Sequence, residues 1–154
     1  MKKIFISSDH AGFKLKESIK DYLKNKKVKF EDLGPEDDSS VDYPDYAHKV
    51  AKKVKSNKNN VGILVCGSGT GMNIAANKHK NIRAAQCFNL KSTKLSRLHN
   101  DANIITLGSR LITKKNALKF VGVFLNLFFI NSFKLYPAWS DEINIFFKLI
   151  KFVI

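Results

Sequence analysis

Residues 61–78 constrain this chain more than any other stretch. They open with Val61-Gly62-Ile63-Leu64-Val65, long enough for a strand buried on both faces but too short for a helix. Cys66 follows, and then Gly67, Gly69 and Gly71 alternate with the hydroxyl residues Ser68 and Thr70. The apolar pattern resumes at Ile74-Ala75-Ala76, predicting a helix that begins at the glycine segment. A strand, a glycine-rich turn and a helix N-terminus gather unpaired backbone N–H groups around one point, with the positive end of the helix dipole behind them. The expectation is an anion hole with a thiol at its lip, suited to polarising and deprotonating an anionic or anion-forming small molecule.

Neither familiar nucleotide loop fits. A dinucleotide fingerprint needs a third glycine three places after the second, where this chain has Met72. A triphosphate loop needs Gly-Lys-Ser/Thr, which Met72-Asn73-Ile74 does not supply. The competing structural reading, a tight turn and nothing more, leaves three alternating glycines without a reason.

The rest of the chain alternates strands and helices. Lys3–Ser8 reads as a first strand, with Asp9-His10-Ala11-Gly12 as the loop at its end. A helix is predicted from Ala11 to Lys27 with Leu15, Ile19, Tyr22 and Leu23 on one face. Val28–Leu33 alternates as a strand closed by Gly34-Pro35. Asp45 is the expected N-cap of a helix with Tyr46, Val50 and Val54 inside. After the central strand come a strand at Arg83–Phe88, a helix at Leu90–Leu98, and a strand at Asn103–Gly108. A last helix starts at Thr113, with Ala117, Phe120, Val121, Phe124, Leu125 and Phe128 inside. This order predicts an α/β fold: a three-layer, doubly wound, Rossmann-like sheet of five parallel strands. Ligands of such sheets sit beyond the carboxyl ends of the strands, where Asp9-His10, Cys66–Gly71 and Ser109-Arg110 all fall.

A chain of 154 residues, 44% hydrophobic, is expected to form one domain. Met1-Lys2-Lys3 is basic, but the apolar run behind it stops at Ser7, so no signal peptide is apparent. Cys66 and Cys87 then read as reduced thiols of a cytoplasmic protein, and neither has a close partner of the kind a zinc site needs. The net charge is +14, and it is unevenly spread. Residues 1–60 carry 14 basic and 10 acidic side chains, whereas residues 61–125 carry 10 basic and only Asp101. A positive field around the glycine loop draws phosphorylated substrates. The lysines are scattered singly along amphipathic helices, without the basic stripe and interleaved aromatics that nucleic acid requires.

Cys66 is the chemically distinctive group. A thiol at a helix N-terminus in a positive field ionises readily, and such a thiolate can act as a base on a carbon beside a carbonyl. The amides of Gly67 to Gly71 would hold the resulting enediolate, each well-placed donor contributing roughly 3–4 kcal/mol. The competing reading is a small buried cysteine. His10, beside Asp9 at a strand end, reads as a phosphate or hydroxyl contact. His99 taken alone is a helix C-terminal residue favoured by the dipole. His48 and His79 fall on polar faces among lysines and read as surface residues.

Several stretches in order then resemble one family. They are Ser8-Asp9-His10-Ala11-Gly12, Asp42-Tyr43-Pro44, Gly62 through Gly71, Ala75-Ala76-Asn77-Lys78, Ile82-Arg83-Ala84-Ala85, Ser96 through Asp101, and Leu107-Gly108-Ser109-Arg110. Together they are similar to the sugar-phosphate isomerases that include ribose-5-phosphate isomerase B and galactose-6-phosphate isomerase, over roughly residues 3 to 125. The resemblance implies interconversion of ribose 5-phosphate and ribulose 5-phosphate, a step of pentose phosphate metabolism, without metal or organic cofactor. Six-carbon sugar phosphates are an alternative, as is a catalytically impaired sugar-phosphate-binding protein. By position, the resemblance makes Cys66 the base between C2 and C1, and His99 the group that assists ring opening, with Asn100 nearby. Gly67, Ser68, Gly69, Thr70 and Gly71 would hold the enediolate. Asp9 and Tyr43 would contact hydroxyls, and His10 and Arg110 would meet the phosphate. It further implies a homodimer, or a tetramer, in which His99 and Asn100 serve the neighbouring subunit's site; no membrane or nucleic-acid partner is implied.

The likeness stops before the end. The isomerase domain is expected to span residues 1–129, with 130–154 an atypical tail. The family pattern has two phosphate-binding arginines there, but the only arginines of this chain are Arg83, Arg97 and Arg110. Phe133 and Pro137 stand about where those arginines are expected, and Lys134 supplies only a point charge in their place. The final run from Ile143 to Ile154 is too short and too interrupted by lysine to span a membrane. A divergent packed tail, an amphipathic surface helix and a reading-frame slip compete here, and the abrupt loss of pattern favours the slip.

Overall fold

The computed structural model describes residues 3–133. Lys134, Pro137 and the final apolar run, for which expectations were stated above, therefore lie outside the described residues. Five strands, β1 (Lys3–Ser8), β2 (Glu31–Asp32), β3 (Asn60–Cys66), β4 (Ala84–Gln86) and β5 (Ile104–Gly108), form one sheet in the order β2-β1-β3-β5-β4. Every pairing is parallel. Five helices connect them: α1 (Phe13–Asn25), α2 (Tyr43–Lys55), α3 (Thr70–Asn77), α4 (Leu90–Leu98) and α5 (Lys114–Phe133). The expected three-layer parallel architecture is present.

β3 shows why the sheet is buried on both sides. Its residues alternate, Val61, Ile63 and Val65 packing with α1 and α5, and Leu64 and Cys66 packing with α2 and α3. Gly62 occurs where α2 comes closest, since a Cβ there would stand 2.7 Å from Val50 Cγ1. The α5 face is the predicted one, with Ala117, Phe120, Val121, Phe124, Leu125 and Phe128 all buried. α4 begins where expected because Asn89 caps it, its side chain accepting from the Ser92 amide at 2.8 Å.

Three local expectations are corrected. The α2 helix starts at Tyr43 with Asp42 as N-cap, three residues before the predicted Asp45. Pro44 is compatible with the first turn because its missing N–H is not needed there, and Asp45 instead places its charge near the helix N-terminus. The β2 strand has two residues rather than the predicted six, because it is an edge that touches only Phe5 and Ile6 of β1. There Asp32 accepts from the Gly34 amide at 3.0 Å and turns the chain away. β4 is likewise shorter than Arg83–Phe88.

Lys16 was not anticipated inside. Its side chain is fully buried, and its ammonium meets both Asp32 carboxylate oxygens at 3.2 Å and the Pro35 carbonyl. This buried ion pair ties α1 to the β2 turn. That turn in turn receives the Ser8 amide on the Gly34 carbonyl at 3.2 Å, one residue before Asp9.

Candidate active site

The chain leaves β1 toward one side of the sheet and β3 toward the other, so the loops at their carboxyl ends part and leave a crevice. The loop after β1 carries Asp9 and His10. Asp9 is buried, and its carboxylate accepts from the Gly12 amide at 2.7 Å while its own amide donates to Val65 of β3 at 3.1 Å. Gly12 admits no side chain, since a Cβ would lie 2.2 Å from the Val65 carbonyl oxygen. The β1 loop is thereby clamped against the end of β3. His10 stays exposed, its Nδ1 accepting from the Val41 amide at 3.4 Å.

Cys66 is the last residue of β3 and is 4% exposed. It belongs to the buried cluster that includes Leu64 and Met72. It nevertheless meets the glycine loop, accepting from the Gly69 amide at 3.1 Å. A donor aimed at sulfur gains strength once the sulfur carries charge. Gly69 is the N-cap of α3 with φ +81°, a left-handed conformation that suits glycine. Ser68 Oγ accepts from the Thr70 amide at 3.2 Å. Among the described residues the amides of Gly67, Ser68 and Gly71 have no hydrogen-bond partner, as expected of donors facing an anion hole.

Tyr43 and Arg110 close the sides. The Tyr43 ring lies over Gly71, where a Cβ would come within 2.9 Å of it. The Arg110 guanidinium lies over Gly67, and the Arg110 amide donates to the Gly67 carbonyl at 3.0 Å. Arg110 is exposed and forms no ion pair among the described residues, leaving its charge available. Asp9, His10, Tyr43, the 66–71 segment and Arg110 therefore converge at one end of the sheet.

His99 and Asn100 do not join them within one chain. α4 starts at the carboxyl end of β4 and returns to the opposite end of the sheet, where His99 is its C-cap. The nearby Asn103 carbonyl accepts from the Gly62 amide, four residues before Cys66, or about 13 Å along a strand. Both residues are exposed there. They sit in a rigid frame. Arg97 is buried with its guanidinium 4.8 Å from the Phe128 ring centroid, paired to Asp101 at 3.0 Å and bonded to the Ala102 carbonyl. Arg83 pairs with the same Asp101 at 2.6 Å and donates to the Asn100 carbonyl at 3.1 Å.

Sequence reading missed two groups at the crevice. Gln86, the last residue of β4, donates to the Ser68 carbonyl at 2.8 Å and meets Thr70 Oγ1 at 3.3 Å, bracing the glycine loop from the side. Its polarity at a strand end was the available signal. Gly108 of β5 allows the loop to approach, since a Cβ there would lie 2.5 Å from Ser68 O. Among the described residues, no three His, Cys, Asp or Glu side chains converge closely enough to hold a metal ion.

A parallel sheet with an amide-lined, positively flanked hole and a thiol at its carboxyl end defines a class of α/β enzyme acting on small anions. The family model described as Ribose/Galactose Isomerase matches residues 4–134, and the chain belongs to that family. It is 46% identical over 124 residues to the probable ribose-5-phosphate isomerase B of Mycoplasma genitalium, covering 79% of this chain and 82% of that protein. It is 42% identical over 125 residues to ribose-5-phosphate isomerase B of Escherichia coli, covering 81% and 84%. The crystal structure of the Thermotoga maritima ribose 5-phosphate isomerase superimposes with a TM-score of 0.78 at 50% identity, covering 80% of this chain and 86% of that one. The Mycoplasma genitalium enzyme with bound ribulose-5-phosphate gives 0.77 at 46% identity, covering 80% and 82%.

Proposed function

We propose that this chain is an aldose–ketose isomerase that interconverts ribose 5-phosphate and ribulose 5-phosphate. The observation that carries the reading is the Cys66 sulfur held by the Gly69 amide beside the unpartnered amides of Gly67, Ser68 and Gly71. The Cys66 thiolate takes the C2 proton of the open-chain aldose, and the C–H electrons form the C1–C2 double bond as O1 becomes anionic. Loop amides hold that enediolate without reorganising. The O2 hydroxyl proton passes to O1, which moves the enediolate charge to O2, and Cys66 then returns its proton to C1 as the C2–O2 carbonyl forms. Asp9 and Tyr43 hold sugar hydroxyls, and His10 and Arg110 hold the phosphate end. The five-carbon substrate is favoured over a six-carbon one by the ribulose-5-phosphate bound to the Mycoplasma genitalium relative.

His99 and Asn100 assist ring opening in the crevice of a second copy of the chain. Their exposure, their rigid frame and their distance from the same chain's Cys66 support a dimer with shared sites. Residues 1–129 carry the isomerase, and 130–154 are atypical in sequence rather than a separate domain. Two free thiols fit a cytoplasmic setting, and among the described residues no helix is long and apolar enough to cross a membrane. The direct test is turnover of C2-deuterated ribose 5-phosphate by the full chain. Ribulose 5-phosphate formed with a primary isotope effect is expected. Binding without turnover would leave a sugar-phosphate-binding protein instead.

A further inference from the structure

A second concavity lies away from the strand ends, on the outer surface of α2 and the C-terminal end of α3. It has a volume of about 590 Å³, and none of the crevice residues named above lines it. At its floor His48 Nδ1 and His79 Nε2, from segments 31 residues apart, stand 2.8 Å apart with their rings edge to face. The two half-buried rings are therefore not the independent surface histidines expected from sequence.

That distance restricts protonation. Two imidazole nitrogens in contact share one proton, one donating and the other accepting. In the neutral pair, the outward nitrogens, His48 Nε2 and His79 Nδ1, are one N–H and one lone pair. One added proton leaves the inner hydrogen bond intact and turns both outward nitrogens into donors. A second sets two N–H groups against each other and breaks the contact. The singly charged pair alone keeps this geometry while offering two outward donors.

The surroundings are cationic. Lys49 and Lys52 of α2 and Lys78 beyond α3 line the groove, and Lys55 lies close enough to act on His79. Among the described residues none of Lys52, Lys55 and Lys78 forms an ion pair, and the Lys49 ammonium lies 4.1 Å from the Tyr46 ring centroid. Asp45 is the single acidic group in the lining. Burial, His48 and the Lys55 and Lys52 charges push the His79 imidazole below its ordinary range. Among the described residues Asp45 is the one carboxylate in the lining set against this positive charge.

We propose that this groove is a second binding site, for a metabolite-sized phosphate ester or diphosphate. The His48–His79 pair would take up one proton on binding and donate from both outward nitrogens. The Lys52 and Lys78 ammoniums would neutralise the dianion, and Asp45 would accept from a hydroxyl at the far end. The size of the groove suits a small metabolite. Nothing in this inference depends on the isomerase reading.

The test uses the full chain and inorganic pyrophosphate, titrated calorimetrically near pH 8 and near pH 6.5 in buffers of different ionisation enthalpy. Expected are net proton uptake, tighter binding at the lower pH, and shifts of the His48 and His79 ring C–H resonances. The double variant Lys52→Met/Lys78→Met, confined to exposed side chains, should weaken binding by about tenfold or more while leaving isomerase turnover unchanged. Three results would overturn the proposal. They are affinity unchanged in the double variant, binding without proton uptake, and displacement of pyrophosphate by ribose 5-phosphate with movement only of the His10 or His99 resonances.

Discussion

The two ends of the sheet are built differently. At the carboxyl end, Asp9, Cys66, the glycine loop and Arg110 are knitted together by short contacts within one chain, and Cys66 is almost fully covered. At the amino end, His99 and Asn100 project from a frame of Arg97, Arg83 and Asp101, with none of the crevice residues beside them among the described residues. Leu98, beside them, is also exposed. One end is a nearly complete anion hole. The other presents two exposed side chains about 13 Å or more from the Cys66 of its own chain.

Removing the base tests the first end most severely. Cys66→Ala should lower ribulose 5-phosphate formation by about 10³-fold, within the usual range for a positioned base, with the circular dichroism spectrum unchanged. Survival of activity would remove the proposed base. Complementation tests the division between the ends. Cys66→Ala and His99→Asn chains, each inactive, should regain about a quarter of wild-type turnover when unfolded and refolded together, because random pairing makes half the dimers mixed, each with one intact site. No recovery would place His99 in its own chain's site.

The support beneath the carboxyl end has its own test. Burial would raise the Asp32 carboxyl, but hydrogen bonds from Lys20, the Gly34 amide and Lys16 hold it below the ordinary carboxylate range. Its folded value is depressed, so its contribution to stability is present above the unfolded value and lost as pH falls through the folded one. Asp32→Asn leaves the buried Lys16 ammonium poorly paired and should cost about 3 kcal/mol near neutrality. The gap between variant and wild type in urea unfolding should shrink below about pH 4. A gap that persisted at low pH would mean that the charge is not what holds the turn. Smallest is Gly69→Ala, expected to cost about 1–2 kcal/mol from the left-handed backbone. Its Cβ would stand 3.0 Å from the Gly108 nitrogen, so turnover should fall with stability if the loop is as tightly held as it looks.

Much of the carboxyl end was legible because its information is local. β1 and α4 have the predicted bounds, and the inner face of α5 is the predicted one, because period and capping are written into adjacent residues. β2 differs from its predicted length because an edge strand lasts only while it pairs, here with Phe5 and Ile6 alone, which its own alternation does not encode. The burial of Lys16 was not legible, since nothing near it in the chain announces Asp32 and Pro35.

The alternation of strands and helices, the central buried strand and the glycine turn that opens a helix could all be read from residue order. Each depends on side-chain spacing or backbone freedom within a few residues. That Gln86 braces Ser68, that His48 meets His79, and that His99 stands at the far end from Cys66 became visible only in the folded chain. These relations join residues far apart in the chain, and strand order and helix packing, rather than local propensity, bring them together or keep them apart.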